Sequence, residues 1–170
     1  MKFYNGKRGL AITYAGFFSF FLFFSLPIGG VFYTLNDGDT FQKLNQIISN
    51  KPDEISNAAS QFRLVFYFIV FMCLLTAFMF VLTAKSQELA FRFFSITFGI
   101  YTIAAFGFKV ILTSALTAEV NKLSESPLKA EGPKVIKAFV NNFLIFGITG
   151  AALSTIALLI GLLGRGSKES

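Results

Sequence analysis

Residues 10–33 read LAITYAGFFSFFLFFSLPIGGVFY, a run with no charged side chain. As a helix it is long enough to cross the roughly 30 Å of hydrocarbon in a bilayer, where backbone amides must be satisfied within the segment itself. Three further apolar blocks follow, at about 64–84, 89–118 and 138–164. Each reaches the roughly 17 to 25 residues that a spanning helix needs. With 54% hydrophobic residues and a mean hydropathy of +0.65 in 170 residues, the chain carries more apolar surface than a water-bounded core of that size absorbs. The expected fold class is therefore all-α: a single integral membrane four-helix bundle, with polar loops at about 34–63 and 119–137.

Lys2, Lys7 and Arg8 precede the first block as they would a signal peptide, but the apolar core is longer than the roughly 7 to 15 residues of a signal sequence. An uncleaved helix is expected. Pro27, Gly29 and Gly30 mark local packing adjustment at its far end. The second and third blocks are joined only by Lys85-Ser86-Gln87-Glu88, which predicts a close antiparallel hairpin.

An even number of spans puts both termini on one side. Lys2, Lys7, Arg8, Lys85, Arg92, Arg165 and Lys168 then face Lys43, Lys51, Arg63, Lys122, Lys129, Lys134 and Lys137 across the membrane, and the counts tie. The first helix breaks the tie, with cations before it and Asp37 and Asp39 after it, so cytoplasmic termini are expected, or matrix or stromal termini in an organelle.

The polar loops have internal pattern. Phe41, Leu44, Ile47 and Ile48 form one helical stripe suited to the membrane surface or the helix ends. Pro52-Asp53-Glu54 reads as a helix start leading into the second span, and Gly132-Pro133 as the boundary before the fourth. Asp37-Gly38-Asp39-Thr40 opens like a calcium loop but lacks the remaining ligands, so a solvated turn is expected.

In the fourth block Gly147, Gly150, Ser154, Ala157, Gly161 and Gly164 alternate at spacings of three and four. Lipid tails are as apolar as leucine, so helices associate in membranes largely where small residues let backbones approach. This stripe is a helix-packing seam, within the bundle or toward another subunit. The 24 phenylalanines work the other way: Phe17, Phe18, Phe20, Phe21, Phe23 and Phe24 point in several directions around the first helix, so some face lipid or a partner. Tyr4, Tyr33 and Tyr67 suit interface anchoring, while Tyr14 and Tyr101 lie deeper.

Residues for chemistry are scarce. The chain has no histidine and one cysteine, Cys73, which excludes imidazole bases and ligands, thiolate metal clusters and an intrachain disulfide. No phosphate-binding loop, dinucleotide turn or nucleophile elbow is present. Lys109 is the charge placed deepest in a span, about 25 Å by helix rise from Arg92, close to the far hydrocarbon boundary. It and Arg63, at the start of the second span, are candidate interface or partner charges. Asn141 and Asn142 are candidates for hydrogen bonds between helices. The spans contain no carboxylate, which argues against proton-coupled transport.

The net charge of +6 is divided between two faces and suits anionic headgroups better than nucleic acid. No cofactor or metal is expected, although the phenylalanine-rich surface leaves a bound lipid, quinone or pigment open. The function expected is a non-catalytic subunit that scaffolds or stabilises a larger membrane complex, with other membrane subunits and lipids as partners and a homo-oligomer possible. The alternative is an oligomeric channel or small transporter.

Overall fold

The computed structural model describes residues 7–47, 52–122 and 127–166. Among the described residues there are five helices and no strand: α1 (Lys7–Asn36), α2 (Gly38–Ile47), α3 (Pro52–Thr83), α4 (Gln87–Asn121) and α5 (Pro127–Gly166). The long four are each apolar and extended enough to cross a membrane, so the chain is a multi-pass membrane protein. Ile48 of the amphipathic stripe lies outside the described residues.

Local chemistry sets the ends. Asp37 alone separates α1 from α2, and its carboxylate accepts from the backbone and hydroxyl of Thr40. The calcium-like tetrapeptide is thus a helix cap, meeting α2's orphan donors. Ser86 does the same for α4, with its hydroxyl accepting from the Leu89 amide at 3.2 Å. Helix α3 begins at Pro52 with Asp53 and Glu54 in its first turn, so the second span grows directly out of the loop.

Gly132-Pro133 does not act as a boundary. Helix α5 starts at Pro127 and runs through Pro133. The proline withholds one amide donor from the Lys129 carbonyl. Lys129, Ala130, Pro133 and Lys134 are exposed there, so the carbonyl has water to bond. The second polar stretch is in this way shared between the ends of α4 and α5, whereas the first holds α2, docked on α5, α1 and α3.

The four long helices associate as two antiparallel pairs, α4 with α5 and α1 with α3. Helix α1 joins them. Near its start Phe18 is buried with its ring 5.0 Å from Phe94 and 5.8 Å from Phe98 of α4. Further along, Gly29 and Gly30 form a notch: a Cβ on Gly29 would meet Phe146 at 2.6 Å and Phe66 at 2.9 Å, and one on Gly30 would meet Phe139 at 3.0 Å. Rings from α3 and α5 lie on bare backbone there, and α1 continues past Pro27 to Asn36 as one helix.

The close hairpin expected of the second and third spans is not formed. Helices α3 and α4 follow one another through Ala84, Lys85 and Ser86, yet they meet mainly where Phe80 touches Phe93 and Phe94 at ring separations of 4.9 and 5.5 Å. The glycines that seat a neighbouring helix most closely lie on α5 and in the α1 notch, and α3 contains none.

Asn142 of α5 closes the bundle at the end opposite the α3–α4 connection, donating at 3.0 Å to the Thr34 hydroxyl and at 3.3 Å to the Gly30 carbonyl of α1. Interhelical hydrogen bonds in lipid contribute on the order of 1 kcal/mol. Asn142→Leu is expected to lower stability by about that amount in reversible unfolding from bicelles; unchanged stability would mean that this contact does not hold α1 to α5.

Candidate functional site

The small-residue seam is turned toward α4 of the same chain. Gly150 lies so close that an added Cβ would sit 2.7 Å from Thr102 Oγ1, 2.8 Å from Tyr101 Cδ1 and 3.4 Å from the Phe98 carbonyl oxygen. Ser154 donates to the Ser95 carbonyl at 2.8 Å, and the two hydroxyl oxygens are 3.4 Å apart. Ala157 is buried in the common core. A Cβ added to Gly147 would meet the Phe106 ring at 3.0 Å, and one added to Gly161 would meet Phe91 at an ordinary 3.5 Å. Gly164 falls in the last turn of α5, where side-chain surroundings lie outside the described residues.

The two candidate charges are at the end of the bundle opposite the α3–α4 connection. Arg63 Nη2 donates at 2.9 Å to Asn36 Oδ1, linking the start of the α3 span to the end of α1. Lys109 lines a crevice of about 210 Å³ between α4 and α5, with Thr113, Thr117, Lys137 and Asn141. Asn142, one residue on, points instead to α1.

Hydroxyl groups in the spans are largely committed to their own helices. Ser25 donates to Leu22 O, Thr34 to Gly30 O, Thr76 to Met72 O, Thr83 to Met79 O and Thr102 to Phe98 O, at 2.6 to 2.9 Å. Tyr101 is buried, with its ring 6.0 Å from that of Phe23 on α1, while Tyr14 is half-buried beside the core. Tyr33 and Tyr67 are exposed. Among the described residues no group of three histidine, cysteine or acidic side chains is placed to hold a metal ion. Cys73 is a free thiol.

Two further surfaces were not singled out by sequence reasoning. Leu64, Tyr67, Phe68, Phe71, Leu74, Phe78 and Leu82 form one stripe along α3, all more than half exposed, with Tyr67 edging Phe32 of α1 at a ring separation of 5.8 Å and Leu82 at the rim of the cleft between α3 and α4. Its signal was the three-and-four spacing of bulky residues, masked because nearly every position in that span is apolar. The second surface is a cleft of about 980 Å³ where α3 and α4 diverge, floored by α1. It follows from how the helices pair, which no local pattern announces.

No family profile, curated protein or solved structure matches the chain. The packing itself makes a graded prediction. Thr102 Oγ1 is tied to Phe98 O and Tyr101 is buried, so Gly150→Ala forces α4 and α5 apart and is expected to cost about 1 to 3 kcal/mol. Gly161→Ala meets only ordinary contact and is expected to stay within about 0.5 kcal/mol of wild type. Equal losses in the same unfolding assay would contradict the seam's orientation.

Proposed function

We propose that this protein is a non-catalytic subunit of a larger membrane assembly, to which it contributes rigid apolar helix surface. The observation that carries this reading is the α3 stripe. Leu64, Tyr67, Phe71, Leu74 and Phe78 recur at alternating spacings of three and four, with Leu82 four residues further on, on a helix held along one side by α1. That spacing keeps a row of side chains in line with a facing helix. Aromatic residues are the type enriched at protein contacts, where they supply large area with few rotatable bonds.

The seam on α5 is occupied by α4, so it does not offer itself to a partner; the docking face assigned here is on α3. Commitment of the span hydroxyls to backbone carbonyls favours scaffolding over the channel reading, because groups already bonded along their own helices do not form a polar path. The flanking charges tie overall, and the cations ahead of α1, with Asp37 and Asp39 beyond it, support cytoplasmic termini.

Purification from native membranes in mild detergent is expected to recover stoichiometric membrane partners. In Phe71→Ala/Phe78→Ala, partner recovery should fall at least severalfold while stability of the isolated chain shifts by less than about 1 kcal/mol, since both rings lie on the exposed side of α3. A partner-free ring that passes ions in liposomes would overturn the scaffold reading in favour of a channel.

A further inference from the structure

The cleft between α1, α3 and α4 has a chemistry that the scaffold role does not require. Its floor is α1, through Ala11, Ile12, Ala15, Gly16 and Ser19. Phe80, Leu82 and Thr83 wall one side, and Leu89 and Phe93 the other. At the end nearest the chain's N-terminus it opens beside Arg8 and Lys85, and no carboxylate lines it among the described residues. The nearest acid on α4, Glu88, pairs with Arg92 at 2.8 Å. The hydroxyls of Ser19 and Thr83 bond their own helices, so the interior presents little unspent polarity.

Depth decides the class of occupant. From Arg8 to Ser19 α1 rises about 16 Å, close to half of the roughly 30 Å hydrocarbon layer. Cations at the membrane surface above an apolar slot one leaflet deep match a molecule with a negative headgroup and an acyl tail of leaflet length. A partner's helix would fill the apolar part but leave Arg8 and Lys85 unanswered unless it also carried acids at that level. We infer that the α1–α3–α4 cleft is a binding site for one anionic phospholipid, its tail along Ala11, Ala15 and Gly16 and its phosphate between Arg8 and Lys85.

Gly16 supplies a clean probe. A Cβ built there meets no atom within 4 Å, so a larger side chain enters the cleft without disturbing the bundle. The full-length protein is reconstituted with equal amounts of phosphatidylglycerol and phosphatidylcholine of matched chains, and the lipid retained after transfer to detergent is read by native mass spectrometry. Wild type is expected to hold one phospholipid with about tenfold enrichment of phosphatidylglycerol. Arg8→Gln/Lys85→Gln should bring that enrichment close to parity, and Gly16→Leu should lose the retained lipid with unfolding unchanged.

Retention in proportion to the bulk mixture, or retention unaffected by Gly16→Leu, would overturn the site. Loss of a co-purifying protein from Gly16→Leu, with its lipid unchanged, would assign the cleft to a partner helix instead. The Phe71→Ala/Phe78→Ala variant keeps the two readings apart, since it removes the α3 face and leaves the cleft intact.

Discussion

The close approach of α4 and α5 is the contact on which the rest of the bundle depends. In lipid, burying one aliphatic side chain against another gains little over burying it against acyl chains, and association rests on packing and hydrogen bonds between helices. Gly150 brings the α5 backbone against Tyr101 and Thr102, and Ser154 bonds Ser95 one turn further on. These contacts make α4 and α5 a two-helix platform. Helix α1 lies across it, resting Phe18 on Phe94 and Phe98 and receiving Asn142 at Gly30 and Thr34. Helix α3 then hangs on α1, with Phe32 stacked on Phe66 at 4.8 Å and Arg63 bonded to Asn36.

That order of dependence explains the asymmetry of the surface. Helix α3 is the last to be gripped and touches mainly α1, so a full side of leucine, phenylalanine and tyrosine is left outward. Its divergence from α4 opens the cleft beneath Arg8 and Lys85. Phenylalanine serves both purposes. Flat rings fill the notch over Gly29 and Gly30, and other rings form exposed faces, which is why aromatic content alone does not separate core from exterior.

The spans were legible because lipid imposes a length and an absence of charge, and all four helices overrun the apolar blocks by a few to a dozen residues into polar flanks. The close packing of α5 was legible from its glycines for the same reason. Which helix would face them was not, because a row of small residues accepts any adequate surface. The Lys85-Ser86-Gln87-Glu88 connection pointed to an α3–α4 hairpin, but a short connection constrains only the ends it joins, and the glycine notch of α1 drew α3 away. Pro133 misled for a related reason: a proline in the first turns of a helix near water costs one hydrogen bond that solvent replaces.

Disulfide trapping across the seam tests this account most directly. With Cys73→Ser as background, Ser95→Cys and Ser154→Cys place two thiols where the hydroxyls now stand 3.4 Å apart, so a small side-chain adjustment brings the sulfurs to the roughly 2 Å of a disulfide. Oxidation in native membranes should yield a bond within one chain, with monomeric mobility on a denaturing gel and no free thiol left to label. A disulfide-linked dimer, or two thiols that remain open to labelling, would place α5 against another molecule and contradict the inward seam.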